Sequence, residues 1–219
     1  MRVLITGTSK GIGKAIAEKF IYEHADWEII VFDRLDSTID KPNYKHYKVD
    51  VRDVENYPDI SNINIIINNA GTQNEDDINI NLKGAISITE RYGIQPGIKS
   101  ILMIGSASAH TGDEFPQYVA SKGGLIAYTK NVARRIAKYG ATCNSLDFGG
   151  VLTELNKPVM ENRECWDKIM EVTALKRWME PEETADWAYF VTVVNKGMTA
   201  QTLLIDNGEA SIVNNFQWC

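Results

Sequence analysis

A tyrosine and a lysine, Tyr118 and Lys122, lie four residues apart in a segment with helical periodicity. Residues at i and i+4 face the same side of a helix. An ammonium group beside a phenol favours the phenolate and so lowers the pKa of the phenol, which suits an acid/base catalyst. Ser106, twelve residues before Tyr118, follows an apolar run and could hydrogen-bond a substrate oxygen on which charge develops. The pattern predicts proton-transfer chemistry on an oxygen-bearing substrate.

Two alternatives compete with these residues. Tyr44 and Lys48 form a second Tyr-x-x-x-Lys pair, but that pair precedes or enters a predicted strand away from the expected pocket, so we interpret it as structural. Ser108 is a rival to Ser106, and we expect it to be a pocket or loop residue. The catalytic prediction therefore depends on the combination of Ser106, Tyr118 and Lys122 with a long helical segment, rather than on the tyrosine–lysine pair alone.

The elements that must position these residues alternate along the chain. Short, mostly continuous apolar runs are typical of strands buried on both faces, and segments with helical spacing separate them. The predicted strands are Arg2–Ile5, Glu28–Phe32, His46–Val49, Ile63–Ile67, Ser100–Ile104, Thr142–Leu146 and Thr202–Ile205. The alternation predicts an α/β fold, a doubly wound parallel sheet of about seven strands with helices on both faces, in a single domain over residues 1–219. Ligands of such sheets bind beyond the carboxyl ends of the strands.

A glycine-rich loop, Thr6 to Gly13 (TGTSKGIG), follows the first strand and leads into a helix. Glycines let the backbone turn tightly and approach a pyrophosphate at the helix N-terminus, where free N–H groups and the helix dipole favour negative charge. The loop predicts a dinucleotide site.

Composition narrows the class of protein. With 44% hydrophobic and 24% charged residues, 219 residues can form an ordinary globular core. The net charge of −6 argues against nucleic acid or an anionic membrane as the main partner. The three cysteines, Cys143, Cys165 and Cys219, show no ligand pattern, and no signal or membrane segment is recognised, so we expect a cytoplasmic protein without a metal.

Taken together, these motifs resemble the ordinary short-length branch of the short-chain dehydrogenase/reductase family. The T-G-x-x-x-G-x-G loop, the run NNAG at Asn68 to Gly71, and the tyrosine–lysine pair occur in the family's order, from Arg2 to about Asn207. The resemblance implies a Rossmann fold and a catalytic tetrad of Asn81, Ser106, Tyr118 and Lys122. Asn79 competes with Asn81, because the segment between Gly71 and Asn81 is shorter than usual. The segment between Asp50 and Asn68 is also shorter than is usual in the family.

The resemblance also implies a nicotinamide cofactor and the residues that bind it. These are Gly7, Ser9, Lys10, Gly11, Ile12, Gly13, Asp33, Arg34, Asp50, Val51, Asn69, Ala70, Gly71, Tyr118, Lys122, Val151 and Thr153. Asp33 ends the second strand, where a carboxylate accepts hydrogen bonds from the adenosine ribose and repels the 2′-phosphate of NADP. Lys10 and Arg34 are basic positions that NADP-preferring relatives use. We expect NAD, with NADP the less favoured cofactor.

Several positions depart from the family pattern. Phe148 stands where the family has a proline before Gly149, and a second glycine, Gly150, follows. Ser108, His110, Phe148 and Gly149 are the candidate substrate contacts. His110 has no Asp or Cys partner pattern for a metal, and Asp113 and Glu114 are expected to be solvated. The segment 154–180, which carries Met160, Trp166, Met170, Trp178 and Met179, is the predicted substrate lid within the domain.

The sequence thus predicts an oxidoreductase that moves a hydride between a nicotinamide dinucleotide and a secondary alcohol or ketone, with Tyr118 as general acid/base. Two alternatives stay open: a non-catalytic NAD(P)-binding regulatory protein of the same fold, and an epimerase that uses the cofactor transiently. The resemblance further implies a homodimer or homotetramer formed through helices around Asn81–Tyr92 and Tyr118–Tyr139.

Overall fold

A computed structural model of the chain describes residues 1–212, so Cys219 lies outside the described residues. Its centre is one sheet of seven parallel strands in the order β3-β2-β1-β4-β5-β6-β7. The strands are β1 (Arg2–Thr6), β2 (Glu28–Asp33), β3 (Tyr44–Lys48), β4 (Ile65–Asn68), β5 (Ser100–Ile104), β6 (Thr142–Phe148) and β7 (Thr202–Ile205). The predicted doubly wound parallel sheet is confirmed.

Helices cover both faces of this sheet. They are α1 (Gly11–Glu23), α2 (Ala85–Tyr92), α3 (Ser108–Thr111), α4 (Pro116–Ile136), α5 (Lys157–Met160), α6 (Arg163–Val172) and α7 (Pro181–Tyr189). A π-helical segment, Ile78–Gly84, leads into α2, and a second one, Phe190–Val194, extends α7. Pro181 begins α7 beside a capping box between Glu180 and Glu183, as the sequence indicates.

Two apolar layers hold the helices to the sheet. On one face α1 and α7 bury residues such as Ile16, Phe20 and Ala188 against the strands. On the other face α2 and α4 bury residues such as Ile88 and Val132. The central strands are apolar along their whole length because both of their faces are covered.

The structure differs from the sequence prediction in the bounds of β3. The third strand begins at Tyr44 rather than His46, and its side chains are half-buried or exposed, because it is the edge strand next to β2. Because such a strand lacks a continuous apolar run, the sequence pattern places its start two residues too late. The connection from β3 to β4 contains only a short 3₁₀ turn, Val54–Asn56, which confirms that this segment is trimmed.

The strand order places the switch point of the topology between β1 and β4. From β1 the chain runs to β2 on one side, and it later returns to β4 on the other. In doubly wound sheets this position opens a crevice beyond the carboxyl ends of the strands. The glycine loop after β1 and the NNAG segment after β4 therefore meet at that crevice. Within residues 1–212, every helix is too short or too polar to cross a bilayer.

Candidate active site

A cleft runs along the carboxyl ends of the strands, from the end of β2 to the first turns of α4. Its wall on the side of β2, where we expect the adenosine to bind, includes Asp33, Arg34 and Val51. Its middle includes the glycine loop, and its far wall includes Tyr118 and Lys122. Sequence analysis missed several further lining residues: Phe32, Leu35, Val49, Thr72, Ile80, Ile104, Gly105, Glu154 and Leu155. One continuous cleft therefore joins the predicted dinucleotide site to the predicted acid/base residues.

The glycine loop takes a shape that only glycine permits. Gly7 and Gly11 have φ values of +74° and +54°, in the left-handed region. A Cβ at Gly13 would lie 2.0 Å from the carbonyl oxygen of Gly7, so a side chain there would displace the backbone of the loop. Lys10, the N-cap of α1, makes no side-chain capping hydrogen bond, which leaves the first N–H groups of the helix to a ligand in the cleft. These features fit a bound pyrophosphate.

Asn69, a predicted cofactor residue, holds the glycine loop in place. Its side-chain amide donates to the carbonyl oxygens of Thr6 (3.0 Å) and Gly7 (2.8 Å). In return, the Thr6 hydroxyl accepts hydrogen bonds from the backbone N–H groups of Asn69 and Ala70. The ends of β1 and β4 are thus tied together where the crevice opens.

Asp33 lies at the other end of the cleft. One of its carboxylate oxygens accepts the backbone N–H of Ser9 (2.8 Å), and the other accepts that of Leu35 (2.9 Å). The side chain is therefore fixed against the glycine loop, and each oxygen keeps a second lone pair for a ligand. Lys10 and Arg34 are exposed at the same end of the cleft.

Asp50 and Val51 also line this end of the cleft, as predicted. The Asp50 carboxylate is paired with the Arg52 guanidinium (2.6 Å), and hydrogen bonding from Arg52 lowers the pKa of Asp50. Arg52 also contacts Asp76 (3.2 Å). Val51 is buried, and its side chain would collide with a Cβ at Gly84 in the π-helical segment. These contacts lock the adenine side of the cleft to the helix that carries Asn81.

Tyr118 and Lys122 share one face of α4, with the Lys122 Nζ 5.6 Å from the centre of the Tyr118 ring. The ammonium is buried and donates to the carbonyl oxygen of Ile104 (2.9 Å). Burial lowers the pKa of Lys122 to about 8. Burial raises the pKa of Tyr118 to about 12, and hydrogen bonding to Ser106 opposes that shift. The expected lowering of the tyrosine pKa is wrong for the cleft as it stands, because removal from water outweighs the local attractions.

Ser106 follows β5 and lies beside this pair. Its hydroxyl is 2.8 Å from the Ser108 hydroxyl and accepts the Ser108 backbone N–H (3.2 Å). Asn81 comes from the π-helical segment, where its side chain accepts the Thr72 N–H (2.8 Å) and donates to the Thr72 carbonyl oxygen and the Ser121 hydroxyl. Its rival Asn79 instead donates to Asp76. The structure thus brings Asn81, and not Asn79, to the loop after NNAG.

Comparison with known proteins places this geometry in a family. A family model described as enoyl-(acyl carrier protein) reductase matches residues 7–209. The L-rhamnose 1-dehydrogenase (NADP(+)) of Thermoplasma acidophilum is 30% identical over 94% of this chain and 94% of its own length. A 3-oxoacyl-(acyl-carrier-protein) reductase FabG of Chlamydia pneumoniae is also 30% identical, over 94% and 96%. A solved short chain dehydrogenase family protein from Francisella tularensis superposes with a TM-score of 0.84, 26% identity, and 96% and 99% coverage.

The chain belongs to the short-chain dehydrogenase/reductase family. It is an oxidoreductase that moves a hydride between a nicotinamide dinucleotide and an alcohol or ketone.

Glu114 is exposed, as the sequence suggests, but its carboxylate is also held by a contact from a distant part of the chain. It lies four residues before Tyr118 with φ +82°, which is strained for a side-chain-bearing residue. Gln73 donates to its carboxylate (2.5 Å). Partial desolvation of the carboxylate raises the pKa of Glu114, while hydrogen bonds from Gln73 and Ser108 oppose the rise. Because Gln73 is 41 residues away in the chain, no local pattern announces this contact.

His110 has a partner that the sequence analysis did not find. Its Nε2 lies 2.6 Å from Oδ2 of Asp147, a buried residue near the end of β6. The other oxygen of Asp147 accepts the Ser145 hydroxyl. His110 and Asp147 are 37 positions apart in the chain. They meet because β6 pairs with β5, the strand that leads into α3.

The predicted substrate role of Phe148 is corrected by the structure. Phe148 is 4% exposed and packs with Leu146 and Val151 in the α1/α7 core layer, because it points to the same face of β6 as Leu146. Val151, a predicted cofactor residue, is buried in that layer as well. Gly149 packs against Asp206, where a Cβ would lie 2.7 Å from the Asp206 Cβ.

The second glycine, Gly150, has a packing reason. A Cβ there would lie 1.9 Å from the indole of Trp178, whose N–H donates to Glu209 (2.9 Å). Trp178 and Met179 are buried, so these two residues of the predicted lid belong to the core. The rest of segment 154–180 forms α5, α6 and a short 3₁₀ turn, Glu154–Asn156. Thr153, just before that turn, lies against Gly11 of the glycine loop and lines the cleft.

Proposed function

We propose that this chain is an NAD-dependent dehydrogenase/reductase of a small secondary alcohol or its ketone, with Tyr118 as the general acid/base. The observation that carries the proposal is the continuous cleft that runs past the glycine loop and ends at Tyr118 and Lys122. A phenol and an ammonium at the catalytic end of a dinucleotide cleft suit the transfer of a hydroxyl proton. When the cofactor is bound, its nicotinamide supplies the hydride chemistry.

Every residue of the tetrad has a part in the proposed reaction. Tyr118 exchanges the proton of the substrate hydroxyl, and Ser106 hydrogen-bonds the same oxygen as its charge changes. Lys122 favours the phenolate of Tyr118 electrostatically and also contributes to cofactor binding. Asn81 lies close enough to continue a proton path: a Cβ at Gly71 would be 3.3 Å from Asn81 Oδ1 and 3.7 Å from Lys122 Nζ. Ser108 and His110 are the proposed substrate contacts.

The proposal of NAD rather than NADP rests on Asp33. Its carboxylate is held toward the cleft by Ser9 and Leu35, and a fixed carboxylate accepts ribose hydroxyls and repels a 2′-phosphate. Two observations oppose it: Lys10 and Arg34 are exposed beside it, and the Thermoplasma relative is named for NADP(+). NADP could be preferred only if Lys10 and Arg34 both moved onto its 2′-phosphate and offset the repulsion from Asp33.

We also propose a homodimer or homotetramer that assembles through the segments around Asn81–Tyr92 and Tyr118–Tyr139, and that works in the cytoplasm without a metal. The proposal of a reducing compartment is supported by two free thiols, those of Cys143 and Cys165. Light scattering at micromolar concentration tests the assembly, and the mass of one chain would contradict it.

The deciding experiment is a panel of secondary alcohols and ketones with NAD(H) and with NADP(H), followed by absorbance at about 340 nm, where the reduced nicotinamide absorbs. Turnover with at least one pair, and a higher kcat/KM with NAD(H), is the expected result. Complete inactivity with tight cofactor binding would favour the regulatory alternative. Conversion of a substrate without a net absorbance change would favour the epimerase.

A further inference from the structure

A carboxylate that the proposed reaction does not use lies buried behind the catalytic pair. Asp147 is the next-to-last residue of β6 and has 0% exposure. Its two oxygens contact the Ser145 hydroxyl and the His110 Nε2. A buried carboxylate is retained only where hydrogen bonds or an opposite charge compensate for its removal from water.

The position of Asp147 is defined by the backbone in front of Ser106. Gly105 donates its N–H to the carbonyl oxygen of Leu146 (2.7 Å), so it pairs with β6 at the level of Asp147. A Cβ at Gly105 would lie 1.8 Å from Asp147 Oδ1. Glycine is required there because the carboxylate packs directly on the backbone that leads to Ser106.

Lys122 contacts the same stretch of backbone, residues 104–105, from the side of α4. Its ammonium donates to the carbonyl oxygen of Ile104, the residue before Gly105. Burial lowers the pKa of Lys122, and three carboxylates oppose this, with Asp147 ahead of Asp77 and Glu114. The attraction is mutual: burial raises the pKa of Asp147, while Ser145, His110 and Lys122 oppose the rise.

We propose that Asp147 is a positioning residue for the reaction, the buried counter-charge that keeps the Lys122 Nζ an ammonium beside Tyr118. His110 and Ser145 hold the carboxylate in place for that role. The proposal rests on the proposed function, because it assigns the Lys122 charge a part in proton transfer. It also explains Gly105, the residue that gives the carboxylate room at the base of the cleft.

The titratable groups around the two residues determine the sign of the expected effect. Lys122 is faced by Asp147 from β6, by Asp77 from the turn before the π-helical segment, by Glu114 from the loop before α4, and by Tyr118 from α4 itself. Asp147 is faced by His110 from α3 and by Lys122 from α4. The Asp147 charge raises the pKa of both Lys122 and Tyr118. Its removal therefore lowers both pKa values.

A structural role predicts a different result. If Asp147 served only to clamp α3 to β6 through His110, its loss would reduce stability and the height of the rate profile, but it would leave the position of the profile on the pH axis unchanged. The two roles can therefore be separated by pH dependence rather than by activity at one pH.

The test compares Asp147→Asn with the wild-type chain by two measurements. The first is the pH profile of kcat/KM with a substrate from the panel, in which both limbs are expected to move to lower pH by about one pH unit. The second is the NMR titration of Lys122 in chain labelled with ¹³C-lysine, with the resonance assigned by its absence from Lys122→Met. Its midpoint should fall by a similar amount.

Two control variants separate charge from hydrogen bonding. Asp113→Asn removes a carboxylate from the exposed loop after α3. It should change neither the pH profile of kcat/KM nor the midpoint of the Lys122 titration. Ser145→Ala removes one hydrogen bond of Asp147 but keeps its charge, so the profile should fall in height without moving. If Asp147→Asn does not fold, Asp147→Ser makes the same change of charge with a smaller side chain.

An unmoved Lys122 titration in the folded Asp147 variant would overturn the proposal, whatever happens to the rate. A shifted titration in a chain that turns over none of the panel would uphold the Asp147–Lys122 interaction while the proposed function fails. The two failures are therefore distinguishable.

Discussion

The two ends of the cleft differ in the groups that line them and in how far those groups are buried. At the adenosine end, backbone groups and exposed side chains do the positioning: the loop glycines, the uncapped start of α1, and Lys10 and Arg34 at the surface. At the catalytic end, charged side chains are buried: Lys122 is 5% exposed, and Asp77 and Asp147 are 0% exposed. From this comparison we expect cofactor binding to depend mainly on backbone shape, and catalysis to depend on charges held out of water at some expense of stability.

The largest expected effect is at the catalytic end, in Tyr118→Phe. The change removes the proton donor with little change in volume, so kcat should fall by roughly 10²–10⁴ while cofactor affinity changes little. Steady-state kinetics and a fluorescence titration with NADH measure the two quantities. The matched control is Tyr44→Phe: the Tyr44 hydroxyl contacts Ser37 and Thr8, these three residues do not line the cleft, and the change should be kinetically silent. Retention of more than about a tenth of the activity would remove Tyr118 from the mechanism.

Gly13→Ala tests the dependence of the adenosine end on backbone shape. The new Cβ would lie 2.0 Å from the Gly7 carbonyl oxygen and 2.3 Å from the Asn69 amide, so the loop must move and cofactor affinity should fall by about tenfold or more. Calorimetric titration with NADH measures the loss. Gly123→Ala is the control: a Cβ there meets nothing within 4 Å, and alanine in place of a helical glycine should stabilise the chain by about 0.5–1 kcal/mol. Equal affinity in Gly13→Ala and wild type would refute this account of the loop.

Lys122→Met should abolish most of the activity and yet stabilise the folded chain. Because burial lowers the pKa of Lys122 from 10.5 to about 8, the unfolded chain holds a proton between these pH values that the folded chain lacks. The free energy of unfolding should therefore rise with pH across this window, and at pH 7 the buried ammonium should be destabilising by about 1–3 kcal/mol.

Urea unfolding at several pH values checks the prediction for Lys122→Met. The variant should be more stable than wild type at pH 7, and the difference should shrink as the pH approaches 10.5, the ordinary pKa of a lysine. Lys14→Met, a change at a partly exposed position of α1, is the control and should leave the pH dependence of stability in place. Lower stability of Lys122→Met at pH 7 would mean that the hydrogen bond to Ile104 outweighs the desolvation of the ammonium.

The smallest effect is expected from Asp33→Ala, which concerns recognition rather than chemistry. Loss of the carboxylate weakens the hydrogen bonds to the ribose and removes the repulsion of a 2′-phosphate, so the ratio of kcat/KM for NAD to that for NADP should fall by about tenfold. Asp36→Ala, an exposed carboxylate paired with Lys48, controls for the change of net charge. A tenfold preference of the wild-type chain for NADP would overturn the choice of cofactor itself.

The sequence alone was sufficient for the parts of this protein that local patterns encode. The apolar runs and helical spacings located the seven strands to within two residues at each boundary, and the glycine loop followed directly from its position between β1 and α1. Tyr118 and Lys122 fall on one face of α4 because the spacing of four residues guarantees it in any helix. These inferences succeed because their determining contacts lie within a few residues along the chain.

Only the tertiary structure decided the contacts between residues that lie far apart in the chain, because these contacts depend on the order of the strands in the sheet. Asp147 meets His110 and faces Lys122 only because β5 and β6 are neighbours, and Glu114 meets Gln73 only because the loop after β4 lies next to the start of α4. Gly150 has its reason in Trp178, 28 positions later in the chain. The pKa values of Tyr118 and Lys122 belong to this class as well, because burial is a property of the assembled layers. Periodicity specifies which face of an element is apolar, but not the partner that covers it, and the charges of this active site depend on that partner.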